Sequence, residues 1–413
     1  MYSGDDAKGK PSTEFSVAEN ATLTIGDGTA GQDSIASNDS NSLITKTGAG
    51  TLTVNGSMKD FTGTLNVSEG AMNINNGLGA TKTIVDNSTA NITGANLSGQ
   101  NYVSEGEYGS RLALVEARNN AHLVIADSNY SNNSAEYNLS GVNGVYGSVV
   151  SSTESSTLIK NTVFEGNTNS TSAQVQGIVY LSGGDMEIES SSFKGNTGNG
   201  GANTTGAAVA TYGGNLMISG TTFDGNVANS DAMARGGALY GDNYAQTENG
   251  TIITVSDSVF VNNKAVSQND AWGGAAQISF AKTNNGSLTF KDTVFTNNTV
   301  EATSASGNAF GGAVGSRRAD VIFEVSEGKN IVNTGNLAIV NGVANGANGG
   351  FLYMHNDSSF EDGGSRSTAY FNIASNASMT IGDGTAGHDS IASSDSNATI
   401  SKTGAGSASL IQA

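Results

Sequence analysis

The chain has 413 residues, with 37 acidic against 18 basic side chains and a formal net charge of −19. That balance opposes binding to nucleic acid or to an anionic membrane surface. The absence of cysteine excludes disulfide staples, and no segment offers the roughly 18 apolar residues that a membrane-spanning helix requires.

Residues 1–18 begin MYSGDDAKGKPSTEF, without apolar patterning and without the basic-then-apolar order of a signal peptide. They are expected to form a flexible leading segment. From Asn20 runs the phrase NATLTIGDGTAGQDSIASNDSNSLITKTGAG, which continues as TLTVNGSMKDFTGTLNVSEGAMNI. Further on, HLVIA (from His122), NLMIS (from Asn215), TIITVS (from Thr251) and SLTF (from Ser287) alternate at period two and predict strands. No stretch sustains a 3.6-residue apolar period, so helix is expected to be nearly absent and the chain all-β.

Through the middle, one phrase recurs five times: FEGN at Phe164, FKGN at Phe193, FDGN at Phe223, FVNN at Phe260 and FTNN at Phe295. An aromatic-swapped copy, YSNN, precedes them at Tyr130. Each of the five is followed by a small-residue phrase, from QGIV at Gln176 to GGAV at Gly311. Phe-to-Phe spacings of 29, 30, 37 and 35 residues mark units that cannot bury an apolar face alone and therefore stack. The expected architecture is a single elongated right-handed parallel β-helix. Its coils lie about 4.8 Å apart, so the Phe rings form an interior ladder, and Asn167, Asn196, Asn226, Asn263 and Asn298 form a second one. Those Asn residues are expected to take the left-handed backbone of a turn, and a variable surface loop to lead from each to the small-residue phrase.

The opening phrase returns from Asn376 as NASMTIGDGTAGHDSIASSDSNATISKTGAG, identical at 24 of 31 positions. The organisation expected is therefore a leading segment (1–18), N-terminal coils (19–110), the repeat core (111–355) and a second, shorter copy of the N-terminal module (356–413), as though one period were cut from a longer array.

The FxxN phrases followed by GGA[LAV] resemble the chlamydial-type polymorphic outer membrane protein repeat. The stretch ITKTGAGTLTVNGSMKDFTGTLNVSEGAMNI from Ile44 resembles the passenger-associated transport repeat of type V autotransporters. The resemblance implies a β-helical passenger at the outer membrane surface of a Gram-negative cell, or secreted from it, acting as an adhesin. Its partners would be a host-cell or bacterial surface protein or glycan, or another copy of itself. Membrane attachment would come only through a barrel outside this sequence. Chlamydial members often carry cysteine, which points here to another bacterial group.

Chemistry-bearing residues are sparse. The histidines are His122, His355 and His388; QDSI at Gln32 and HDSI at His388 only faintly echo a lipase block, and no GxSxG accompanies them. A β-helix polysaccharide lyase or hydrolase needs converging carboxylates, whereas the adjacent acidic pairs are Asp5/Asp6 and Glu361/Asp362, both in loop-like sequence. A non-catalytic role is therefore expected, with no cofactor; a purely structural stalk is the other alternative. GDGTAGQDSI and GDGTAGHDSI partly match a calcium β-roll, which makes Asp27, Asp33, Asp383 and Asp389 candidate ligands. Each copy stands alone, however, so ordinary turns are the competing expectation. Trp272 and Phe310 precede small-residue phrases in adjacent units and are candidates for an exposed aromatic platform for a ligand, lying within roughly 10 Å of each other; packing against a loop or the β-helix surface is the competing expectation.

Overall fold

The computed structural model describes residues 11–29, 32–104, 113–137, 145–242, 251–279, 286–344, 348–355, 367–394 and 398–411. The expectations for Asp5/Asp6 and Glu361/Asp362 lie outside these. The regular elements are strands, stacked in parallel as a β-solenoid, and among the described residues no helix is long and apolar enough to cross a membrane.

One coil explains the rest. Val209–Tyr212 forms face 1, Asn215–Ser219 face 2, Thr222–Asp224 face 3, Val227–Ser230 face 4 and Met233–Arg235 face 5; Leu239–Asp242 then opens the next coil on face 1. Each strand pairs in register with its equivalent in the neighbouring coils, for example Leu216 with Ile253 and Phe223 with Phe260. Period-two patterning sends Leu216 and Ile218 inward while Met217 faces solvent. Faces 1 and 2 are so nearly continuous that Val150–Lys160 and Val179–Glu189 each turn the corner as one strand, bending at the left-handed Glu154 and at Gly183–Gly184.

Face 3 carries the aromatic row. Phe164, Phe193, Phe223, Phe260 and Phe295 are fully buried, with successive ring centroids 4.7, 5.0, 4.6 and 5.1 Å apart and planes nearly parallel. Tyr130 heads the row, 5.5 Å from Phe164. Past Phe295 the register brings Asn333 to the ring position; its side-chain oxygen accepts the Phe295 amide at 2.8 Å, and Phe290, Phe323 and Phe351 fill the interior instead.

The Asn residues form the ladder expected of them, but they are not the left-handed residues of the turn. The left-handed residue is the one before each Asn: Gly166, Gly195, Gly225, Asn262 and Asn297. That is why the third position of the phrase is Gly or Asn. The Asn itself is buried and bridges coils. Asn226 Nδ2 donates to the Phe193 carbonyl at 3.0 Å and to Asn263 Oδ1 at 2.9 Å, while its own Oδ1 accepts the backbone amide and Nδ2 of Asn196.

Two further expectations are corrected. The stretch after each Asn is regular strand, not variable loop: Lys264–Ser267 and Asp270–Trp272 are strands of faces 4 and 5, as are Thr299–Ala302 and Asn308–Phe310. These strands are short and close over a thin separate core of Ala228, Ala234, Ala265, Ala271 and Ala309, so they lack the large apolar residues that announce a strand. Within the segment expected to be flexible, Ser12–Ser16 is a strand paired with Leu43–Thr47.

The repeated module enters the rod in two different phases. In the first copy Leu43–Thr47 lies on face 1 and Thr51–Val54 on face 2. In the second, the equivalent Thr399–Thr403 pairs with Thr368–Ile373 on face 2, and Ser407–Leu410 continues the stack of Asn330–Asn333 and Ser378–Ile381, which follows face 3. The same sequence is accommodated one face later.

Candidate functional site

Two surface features run across neighbouring coils. The first is the corner where face 5 returns to face 1. It turns at a glycine with positive φ in each coil, including Gly236, Gly273 and Gly311, where a Cβ would run into the carbonyl oxygen of Leu239, Ala276 or Val314. The bend brings outward side chains of both faces together in a furrow. Tyr146, Tyr180, Tyr212 and Tyr240 follow one another with centroids 5.5, 5.9 and 5.5 Å apart. Tyr240 Oη donates to Asp242 Oδ2 at 2.6 Å and accepts from Arg235 Nη1 at 3.4 Å. Burial pushes the Tyr212 and Tyr240 hydroxyls well above the ordinary tyrosine range, so both remain protonated donors.

Further along the furrow, Trp272 and Phe310 lie with centroids 4.3 Å apart, and Phe310 stacks on Tyr353 at 4.4 Å. Trp272 also meets His355 edge-on at 5.2 Å. The two candidate rings are thus brought together, but not as an exposed platform. Trp272 is only 7% exposed, being covered by Phe310, Tyr353 and His355, and Phe310 is half-buried. Face 5 and face 1 meet at a closed corner, so outward-pointing aromatics bury one another. Gln277, beside Tyr240 in the register, is buried here with neither amide atom hydrogen-bonded.

The second feature is open. A groove of about 340 Å³ runs along face 4 and the turn that follows it across five coils, from Ser170–Ser172 to Thr303. Gly200 and Gly201 line it where a Cβ would run into Thr204 Oγ1 or the Ser172 carbonyl oxygen, while Asn199, Asn229, Asp231 and Gln268 supply polar atoms. Asn229 Nδ2 donates to Asn199 Oδ1 at 3.0 Å, carrying an amide ladder onto the outer surface. Asp231 is the only carboxylate among the lining residues. Sequence reasoning missed this groove because the strands that build it read as loop.

The carboxylates considered for calcium behave as turn and capping groups. Asp27 and Asp383 are exposed, and each accepts the amide two residues on, from Thr29 at 2.8 Å and Thr385 at 2.9 Å. Those threonines hold both carboxyls below the ordinary value. Asp33 is exposed. Asp389 is buried at the end of the Asn ladder, where Oδ1 accepts the Asn336 amide at 3.0 Å and its Nδ2 at 2.9 Å, and Oδ2 accepts the Gly335 amide at 2.7 Å. Burial raises its carboxyl above the ordinary value against the pull of those donors. Asn133 and Asn336 extend the ladder beyond the five Asn read from the sequence. Among the described residues no group of three or more His, Asp or Glu is placed to hold a metal. In the lipase-like block, Ser390 Oγ accepts the Gly350 amide at 2.8 Å, a structural role.

A buried cation was also missed. Lys46 is fully buried; its Nζ donates to the carbonyls of Thr47 at 3.0 Å, Gly48 at 2.7 Å and Glu69 at 2.9 Å. Burial lowers the ammonium from the usual lysine range, and the Glu69 carboxylate offsets part of that.

Comparison with known protein families, with curated proteins and with solved structures finds no match.

Proposed function

We propose that this solenoid is a non-catalytic contact rod, an adhesin-like passenger presented on or secreted from a Gram-negative cell. It binds a surface protein or glycan through side chains repeated along its coils. The observation that carries the reading is the open groove along face 4 and the turn that follows it, where successive coils offer Ser, Asn, Gln and Asp. Weak contacts repeated along one rod reinforce each other through effective concentration. A single lining carboxylate, Asp231, falls short of the pair that glycoside hydrolysis ordinarily uses. The resemblance of the FxxN phrases and of the stretch from Ile44 to autotransporter passengers supports the surface location.

The test is adhesion of the chain, at equal surface density, to host cells and to a glycan panel, with Asn229→Arg filling the groove and Met217→Arg on face 2 as control. Loss with Asn229→Arg alone, at an unchanged unfolding midpoint, is expected. Binding that survives Asn229→Arg and fails with Met217→Arg overturns the assignment to the groove. Absence of binding by the unaltered chain overturns the adhesin reading.

A further inference from the structure

The groove beside face 4 repeats with the coils, and its period selects among ligands. The register sets Ser170 beside Asn199, Asn199 beside Asn229 and Asn229 beside Val266, so one wall gains a side chain per coil. Coils lie about 4.8 Å apart, which makes the groove about 19 Å long over its five coils. With Asn229 Nδ2 bonded to Asn199 Oδ1, Asn229 Oδ1 and Asn199 Nδ2 make no further bond among the described residues. They are an acceptor and a donor one coil apart. On the turns that follow, Gln268 Nε2 donates to Asp231 Oδ1 at 3.5 Å, again across one coil.

Three classes of occupant fail against this surface. An extended peptide shows side chains to one side about every 6.6–6.8 Å and falls out of step with the coils within two of them. Nor can its backbone pair here, since the strands beneath are already paired on both sides. An acidic glycan meets Asp231, the only charged lining residue, on a chain of net charge −19. A flat apolar ligand finds no aromatic ring among the lining residues. A chain of pyranose rings joined through equatorial oxygens fits. It advances by close to one coil spacing per sugar, and its hydroxyls both donate and accept.

We infer that the groove takes an uncharged, β-1,4-linked polysaccharide with equatorial linkages, laid along the rod axis, one sugar to a coil and about five in all. Ser170, Asn199 and Asn229 meet successive sugars at the same place, and Val266 offers the next ring an apolar contact. The donor and acceptor left by the Asn199–Asn229 bond serve hydroxyls of two neighbouring sugars. The inference rests on the groove being the contact site, and it adds the class of ligand and the direction in which the ligand lies.

The test titrates the full chain by calorimetry with β-1,4-linked oligomers of glucose, xylose and N-acetylglucosamine, from two to about eight sugars long. At least one series is expected to gain about two- to tenfold in affinity with each sugar, as one further net hydrogen bond would give, up to about five sugars and to level off beyond. Ser170→Arg and Thr303→Arg, at opposite ends of the groove, are each expected to bring that break down to about four sugars at an unchanged unfolding midpoint. The glucose series oxidised to carboxylates at C6 is expected not to bind. Affinity that levels off at two or three sugars, or a break that ignores both end variants, means a ligand lying across the rod and overturns the proposal. So does the lack of saturable binding by every series, or a preference for the oxidised one. If the oligomers fail while Asn229→Arg still abolishes cell adhesion, the groove remains the contact site and only the glycan assignment falls. If the oligomers bind with the expected break while adhesion survives Asn229→Arg, the glycan site stands and the adhesive role of the groove falls.

Discussion

Phe223→Ala probes the interior row at its middle. The ring is fully buried and stacks on Phe193 at 5.0 Å and on Phe260 at 4.6 Å, so truncation removes both partners at once. A Phe→Ala change in a core costs about 3–5 kcal/mol. Each aromatic pair contributes about 0.5–1.5 kcal/mol beyond its buried area, which puts this site in the upper part of that range. The cavity cannot collapse easily, because Asn196 and Asn226 tie the flanking coils through their own hydrogen bonds. In a quasi-one-dimensional stack the loss is felt first by neighbouring coils. Hydrogen exchange should therefore quicken around residues 190–265 before the ends of the repeat core respond, and the denaturant midpoint should fall. Phe223→Leu should recover more than half of the loss. An unchanged midpoint, or uniform acceleration along the whole chain, refutes the coil-by-coil reasoning.

Tyr130→Phe should raise stability by about 1–2 kcal/mol in equilibrium unfolding, because the buried Tyr130 hydroxyl has no hydrogen-bond partner and its ring stacks on Phe164. Asn226→Asp should cost about 2 kcal/mol or more by the same measurement, since an acceptor oxygen would replace the Nδ2 donor facing the Phe193 carbonyl and Asn263 Oδ1. Lys46→Met keeps the apolar stem and removes the ammonium donor from three carbonyls, of which Thr47 still accepts the Val17 amide; a loss of about 1–3 kcal/mol with faster exchange at Gly48 and Glu69 is expected. Asp389→Asn should destabilise by about 1–3 kcal/mol despite its equal size, because an amide NH₂ would then face the Gly335 N–H.

The strands of faces 1 to 3 were legible wherever apolar residues alternate, as in NLMIS and SLTF, because one buried side is enough to write period two into the sequence. Faces 4 and 5 were not, since a core made of Ala leaves no large residue to mark which side points inward. The Phe row could be read from spacing alone. The left-handed position could have been found one residue earlier, from the restriction of that site to Gly or Asn. The burial of Trp272 was not legible from its place before a small-residue phrase, because at a corner between two faces the outside of one strand is the inside of the furrow.

The tandem module separates what local sequence decides from what stacking decides. Asp33 and Asp389 occupy equivalent positions and share a left-handed backbone, with φ of 53° and 49°. Local sequence therefore fixes the turn in both. Yet Asp33 is exposed, while Asp389 is buried beneath Asn336 as the last rung of the amide ladder. The difference comes from phase: shifted by one face, the second copy presents its turn to the column that the repeat core has filled with Asn coil after coil. That column ends on a carboxylate because Gly335 and Asn336 together offer three N–H donors there, and an aspartate can accept all three where an asparagine would have to turn an NH₂ group toward one of them.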